Sequence, residues 1–268
     1  MPTSKPSAPS LILDLLLASS PAQGLSVGEL VSACQLFDLS DNSVRVSLVR
    51  LASEGKVEAV GRGHYRLGPQ AWDLAQDVAT WRDSGARVRD WSGDWVMVLS
   101  ANLGRSDRKA LRRRERALGL LGFQEWEKGI ALRPHNLTGT VDDLRRRLYA
   151  LGLERQAAVL VASELDEPRA QAARALWDTR RLNSSYRHGR VQLEDWLARS
   201  SALPLDTAAR ECYLLGHQAI RQVIFDPLLP DPLVDGVARQ RFFDTVRSFD
   251  EAGHAIWQGF FDSRRAAA

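Results

Sequence analysis

Two short runs of the chain carry side chains suited to hydrogen bonding along a polyanion. Asn42, Ser43, Arg45, Ser47 and Arg50 make the first, and Arg62, His64 and Arg66 the second. Arginine offers a planar fork of donors that matches a phosphate or a guanine edge, while asparagine and serine reach base edges with short polar groups. The chemistry implied is recognition, not bond-making. The first run reads as a helix, because Val44, Leu48 and Leu51 recur at helical spacing and mark one buried face, leaving the polar residues on other faces. Ser40 or Asp41 can cap its first turn, and Gly55 can end it in a left-handed conformation. In the second run Val57 and Val60 suggest a strand, Gly61-Arg62-Gly63 a tight turn, and Tyr65 and Leu67 a returning strand.

The elements that must position these runs lie just upstream. Leu11–Ser19 reads as a first helix, with Ile12, Leu15 and Leu16 turned inward and Pro21 and Gly24 breaking it. Ser26-Val27-Gly28-Glu29 has the spacing of a capping box, and Leu30, Val31 and Cys34 continue an apolar face. Phe37-Asp38-Leu39 is a short turn into the polar helix. Helix, turn, helix and hairpin together form the arrangement that lays a second helix in a DNA major groove. Residues 1–68 are therefore expected to be a winged helix-turn-helix domain binding double-stranded DNA. Asn42, Ser43, Arg45, Ser47 and Arg50 would face base edges or phosphates, and Arg62, His64 and Arg66 the flanking backbone. The same fold used only for protein contact is the plain alternative.

Composition limits the field. The chain has 268 residues, 44% hydrophobic and 26% charged, with eight Trp and a formal net charge of +3, so no large cationic field dominates. Within residues 1–68 the basic Lys5, Arg45, Arg50, Lys56, Arg62 and Arg66 are balanced by Asp14, Glu29, Asp38, Asp41, Glu54 and Glu58. That pattern implies a local basic stripe on the second helix and hairpin. Cys34 and Cys212 lie in apolar surroundings and read as buried free thiols of a cytoplasmic protein; no spacing suggests a metal site. Leu11–Ala18 is too short to span a bilayer, and no leader with a cleavage site precedes it.

Further along, Ala71–Arg82 reads as a linking helix within residues 69–90, offering Trp72, Ala75, Val78, Ala79 and Trp81 for packing. Residues 91–164 alternate in type: strand Trp95–Leu99, helix Ser106–Leu121, strands Phe123–Trp126 and Ile130–Leu132, helix Val141–Leu151, strand Ala157–Ala162. This β-α-β-β-α-β order is that of a ferredoxin-like middle domain. Its first helix carries Arg108, Lys109, Arg112, Arg113, Arg114 and Arg116, and its second Arg145-Arg146-Arg147; solvated faces paired with nearby acids account for both better than a phosphate patch does. Residues 165–268 show helices at Arg169–Trp177, Leu193–Ser200, Thr207–Phe225, Arg239–Phe249 and Ala252–Phe261, with Asp226–Pro232 as a rigid elbow. The fold class is α+β, ending in an α-helical domain.

At the elbow the sequence resembles a known family. The run G-H-Q-A-I-R-Q-V-I-F-D-P-L-L-P, Gly216 to Pro230, is similar to the C-terminal signature of the PaaX family of transcriptional repressors. Val44-Arg45 and Arg50-Leu51 resemble that family's recognition helix; Gly61-Arg62, Tyr65 and Leu67 its wing; Gly122-Phe123 and Arg133-Pro134 its middle domain. The resemblance runs nearly the whole length, in order. It implies the same three-part fold, with a middle domain related in shape to a CRISPR-associated endonuclease. It also implies a homodimer on a palindromic operator, repressing a catabolic operon, released by an aryl- or acyl-coenzyme A thioester. Where that family has Trp-x-Gly after the elbow, this chain has Val234-Asp235-Gly236, so the effector's identity stays open. An effector pocket between the middle and C-terminal domains would use Trp177, Tyr186, His217 and Arg221; the plain alternative makes the two aromatics core and the other two helix stitches.

Enzymatic readings find little. A metal-dependent nuclease built on the middle domain needs carboxylates at the end of its first strand, which here runs Leu99-Ser100-Ala101-Asn102. A coenzyme A-linked enzyme or hydrolase lacks a G-x-S-x-G elbow or a phosphate-binding loop. No catalytic residue, metal or cofactor is expected.

Overall fold

The computed structural model describes residues 5–19, 24–71, 80–104 and 106–266. It is a mixed fold of helices and two small antiparallel sheets. Two compact units divide the chain: Met1–Thr80 with Leu193–Gln218 and Val246–Ala268, and Trp81–Gln192 with Ala219–Thr245.

In the first unit, α1 (Ala8–Ala18) starts at Ser7, whose side chain accepts from the Ser10 N–H, with a proline in its first turn. The expected break at Pro21 lies outside the described residues; Gly24 follows with φ +59°. A two-residue strand, β1 (Leu25–Ser26), leads into α2 (Val27–Gln35). The capping box forms: the Glu29 N–H donates to Ser26 Oγ at 3.2 Å, and the Ser26 N–H to Glu29 Oε2 at 2.7 Å. Burial raises and these hydrogen bonds, with Arg265 beside them, lower the Glu29 carboxyl, which settles below its ordinary value. The next helix, α3 (Asp41–Ser53), is capped by the Ser40 side chain on the Ser43 N–H. Gly55 ends it at φ +66°, while the Lys56 N–H closes back onto the Leu51 carbonyl.

The hairpin follows as β2 (Val57–Ala59) and β3 (His64–Leu67), paired Val57↔Leu67 through Ala59↔Tyr65. β1 joins the other edge of β3, giving the order β1-β3-β2. Leu11, Ile12, Leu30, Phe37, Val44, Leu48, Leu51 and Val57 share one core with Ala209, Phe260 and Phe261 from late in the chain. Of the expected linking helix, Trp72, Ala75, Val78 and Ala79 lie outside the described residues; Thr80–Arg87 is a 3-10 segment in which Trp81 is buried.

The second unit holds β4 (Trp95–Leu99), α4 (Arg108–Leu120), β5 (Gln124–Glu127), β6 (Ile130–Pro134), α5 (Val141–Ala150) and β7 (Ala158–Ala162). All four strands pair antiparallel in the order β5-β6-β4-β7. Apolar Trp95, Val96 and Val98 make β4 the buried central strand.

The later helices are α6 (Glu167–Arg174), α7 (Thr179–Ser200), α8 (Leu205–Ile224) and α9 (Gly236–Ala266). α7 begins well before Leu193, where periodicity first suggested a helix. α9 is one helix of 31 residues where two were expected. The unit boundaries fall inside α7, α8 and α9. The elbow after α8 is locked by polar side chains. Tyr186 Oη donates to Asp226 Oδ2 at 2.6 Å, the Leu228 N–H donates to Asp226 Oδ1 at 2.8 Å, and Asn136 Nδ2 donates to the Leu228 carbonyl at 2.7 Å. Arg239 donates to the Leu229 carbonyl. Gly122, at φ +72°, lets the elbow approach closely, since a Cβ there would lie 2.7 Å from the Pro227 carbonyl oxygen.

Candidate functional site

One face of α3 carries the first-unit core and the other meets solvent. Val44, Ser47, Leu48 and Leu51 are inside. Ser47, expected to face outward, is 8% exposed. It lies three residues after Val44 and four before Leu51, on their side of the helix. Asn42, Arg45 and Arg50 are exposed and Ser43 is half-buried. Between them stand Val46 and Val49, 61% and 70% exposed. Sequence reasoning passed over both valines, although their positions opposite Leu48 and Leu51 already placed them outside. The outward face of α3 thus includes two arginines, an asparagine and two bare aliphatic side chains, with the exposed Asp41 beside Arg45.

The cations here are held lightly. Arg45 Nε sits 2.6 Å from Asp41 Oδ1, Arg50 Nε 3.8 Å from Glu54 Oε1, and Arg66 Nε 2.5 Å from Glu58 Oε1. Exposed pairs of this kind contribute about 0–1 kcal/mol, so each arginine can exchange its carboxylate for a phosphate at little cost. A hydrogen bond from Lys56, and its charge with that of Arg50, hold the Glu54 carboxyl below its usual range. Arg62 stands exposed at the hairpin turn with no side-chain partner among the described residues. His64, also exposed, has Nδ1 3.4 Å from the Arg62 carbonyl.

The four residues expected around an effector are differently placed. Trp177 is 7% exposed, and its ring stacks on that of Trp95 at 6.2 Å. Tyr186 is fully buried, and its hydroxyl is engaged by Asp226; burial first, then the Asp226 charge, push its pKa up. Arg221 is exposed over the Phe225 ring at 5.3 Å. Those three belong to the second unit. His217 belongs to the first, with Nδ1 3.5 Å from Asp14 Oδ2, an oxygen that also accepts from Tyr213 Oη at 2.7 Å.

The arginine runs resolve into structural pairs and solvated faces. Arg114 is 5% exposed and grips Glu154 with two bonds of 3.0 and 2.6 Å. Arg108, Lys109, Arg112, Arg113 and Arg116 are exposed. Arg145 pairs with Asp142 and reaches the Val159 carbonyl, and Arg146 pairs with Asp143.

A cavity of about 110 Å³ lies within the second unit. None of Trp177, Tyr186, His217 or Arg221 lines it. Arg133 on β6 is among its lining residues and 1% exposed, with Nε donating to the Pro134 carbonyl at 3.0 Å and Nη2 to Asn136 Oδ1 at 2.9 Å. Nη1 donates to the Leu121 carbonyl. No carboxylate pairs with Arg133 among the described residues. Burial, then the neighbouring Arg87, pull its pKa down to about 9. An arginine between Leu132 and Pro134 on an apolar strand was the signal in the sequence.

Among the described residues no cluster of three or more His, Cys, Asp or Glu side chains could hold a metal ion, and no helix is long and apolar enough to cross a membrane. Cys34 and Cys212 are free and buried, and burial pushes both thiols up to about 12.

Residues 7–71 match a family model described as PaaX-like protein, and residues 177–259 match one described as PaaX-like protein C-terminal domain. No curated protein gives a match. Among solved structures, the uncharacterized protein Rv0674 from Mycobacterium tuberculosis is similar over 92% of this chain and 98% of its own, with a TM-score of 0.58 and 23% sequence identity. At that identity the likeness shows a shared fold alone.

Proposed function

The chain belongs to the PaaX-like family, and from that premise we propose that it is a sequence-specific DNA-binding transcriptional regulator whose reading head is α3. On this reading, residues 1–68 are a winged helix-turn-helix, with α2 and α3 as the two helices and the β2–β3 hairpin as the wing. The exposed face of α3 is the observation that carries it. Asn42, Arg45 and Arg50 supply hydrogen bonds to base edges and phosphates, and Val46 and Val49 supply apolar contact to thymine methyl groups. Ser43 sits at the helix start, where the unpaired N–H groups also favour a phosphate. Arg62, His64 and Arg66 reach the backbone beside the groove. Ser47 has no place in the contact set, because it faces the core.

The remaining parts follow the same reading. The strand order β5-β6-β4-β7 with α4 and α5 supports a ferredoxin-like middle domain. The protein acts as a cytoplasmic homodimer that represses a catabolic operon through two half-sites of a palindrome. An acyl- or aryl-coenzyme A thioester releases it, by preferring a dimer that cannot engage both half-sites; linkage then requires DNA to weaken the effector by the same factor. Selection of bound duplexes from a random pool tests the reading. An inverted repeat with half-sites about one helical turn apart is expected; a pool with no enriched sequence rejects it. A thermal-shift panel of acyl-coenzyme A thioesters tests the effector class separately, and no shift with any member removes that class.

A further inference from the structure

The two helices set between the strands of the second unit follow opposite charge patterns. α5 obeys the helix dipole: Asp142 and Asp143 stand in its first turn and Arg147 in its last. Its other two arginines are paired, Arg145 with Asp142 and Arg146 with Asp143. α4 does the reverse. It opens on Arg108 and Lys109, with no acid in its first turn and no cation in its last. Cations in a first turn face the positive end of the dipole, which is unfavourable. The acid beside them is the Asp107 cap, which accepts from the Lys109 and Ala110 N–H groups at 2.8 and 3.1 Å.

Helical spacing gathers the cations of α4 on one face. Arg114 and Ala117 are buried, with Ala110, Leu111 and Leu118 half-buried on the same side. Arg108, Lys109, Arg112, Arg113 and Arg116 are all exposed on the other side, with Glu115 as the one acid among them. Positions 108, 112 and 116 follow one another at four-residue steps, as do 109 and 113, so each cation has a like charge as a helical neighbour. Such pairs destabilise a helix. Among the described residues Arg108, Lys109, Arg112 and Arg116 make no ion pair. Pairing with nearby acids therefore accounts for Arg145 and Arg146 on α5 but not for this face of α4.

We infer that this face of α4 is a second, sequence-independent contact for the phosphate backbone of duplex DNA. It rests on the DNA-binding function proposed for α3 and adds a surface outside residues 1–68. From position 108 to 116 the helix rises about 12 Å, a length over which one DNA strand presents about three phosphates. Arginine supplies all but one of the cations, and its fork takes two phosphate oxygens at once. Bound phosphates also relieve the repulsion that the free helix carries. Other polyanionic or acidic partners fit less well. A helix that lies on a membrane keeps an apolar side for the acyl chains, but the apolar side of α4 is packed inside its own unit, with Ala117 and, just beyond the helix, Leu121 buried. A protein partner is met through apolar or aromatic anchors, and none stands among the exposed residues from Arg108 to Arg116.

The test uses the full-length protein and two long duplexes, the selected operator and a scrambled one, read by fluorescence anisotropy across a salt series. In Lys109→Gln/Arg112→Gln/Arg116→Gln, affinity for both duplexes should fall by the same factor, about tenfold or more, and the slope of log affinity against log salt should be shallower by roughly two to three. Preference for the operator over the scrambled duplex should not change. Glutamine is close to lysine and arginine as a helix former, and like charges are removed, so Tm should hold or rise. If the variant does not fold, the wild type decides: duplex DNA that shields Lys109 from an acetylating reagent supports the contact, and equal reactivity with and without duplex overturns it. A folded variant with the wild-type slope overturns the inference and leaves α3 as the reading head. So does a variant that keeps its slope but loses binding to phosphatidylserine vesicles, which assigns the face to a membrane. A wild type that binds neither duplex removes the proposed function, and this inference with it.

Discussion

At the scale of single residues, the exposed face of α3 makes separable demands. Among the described residues Arg45 pairs its charge with Asp41 alone, at the surface, so it is available to a base or a phosphate. Arg45→Ala is expected to weaken binding to the selected duplex by about 1–3 kcal/mol and to flatten preference at one position of each half-site. An equal loss on every sequence, read by fluorescence anisotropy, would move Arg45 to a phosphate. Val49, 70% exposed, should accept Val49→Glu without loss of Tm, yet the added carboxylate should repel all duplex DNA and lower affinity at least about tenfold. Retained affinity in that variant would take Val49 out of the interface. At this scale the sequence spoke clearly about Val44, Leu48 and Leu51, because three apolar residues at helical spacing define a buried side. It misled at Ser47, since polarity is a weaker guide than position on the helix. For Arg133 it offered only a place on an apolar strand, because the Asn136 side chain that bonds it is itself held by Leu228, nearly a hundred residues later.

At the scale of elements, local signals were strongest where a side chain bonds its own neighbourhood. The capping box at Ser26, the Ser40 cap and the glycine at position 55 act within a few residues, so type and spacing reveal them. The strand β1 was invisible because two residues cannot show alternation, and it exists only as a partner of β3. The joined helix α9 was hidden by Asp250, Glu251 and Gly253, which resemble a break; burial of Val246 and Phe249 before them and Phe260 after them carries the helix through. The Arg114–Glu154 pair links α4 to the approach to β7, and a test belongs to it. The Arg114 hydrogen bond, first among its causes, holds the Glu154 carboxyl below the usual range. A depressed carboxyl contributes stability above its unfolded pKa, and that contribution fades as pH falls through the folded value. Tm should therefore fall between about pH 5 and pH 3 less steeply in Arg114→Met/Glu154→Gln than in the wild type. Arg114→Ala alone should cost about 1–3 kcal/mol, checked by urea unfolding.

At the scale of the whole molecule, chain order and packing part company. Ala209, Phe260 and Phe261 share the core of Leu11, Leu30 and Leu48, so the unit that carries α3 is completed by residues from the far end of the sequence. No local pattern announces such a contact. It predicts that Phe260→Ala lowers the stability of the first unit by about 3–5 kcal/mol, and that a fragment of residues 1–71 lacks the cooperative unfolding of the full chain. A sharp melt for that fragment would show that the late helices are not needed. The account's central claim is that α3 and its hairpin grip duplex DNA through the exposed face. Its most direct test is the salt dependence of affinity for the selected duplex, in the wild type and in Arg62→Ala. The account predicts a linear fall of log affinity with log salt, and a slope shallower by about one in the variant. Affinity indifferent to salt, or a slope unchanged by the loss of Arg62, would contradict it.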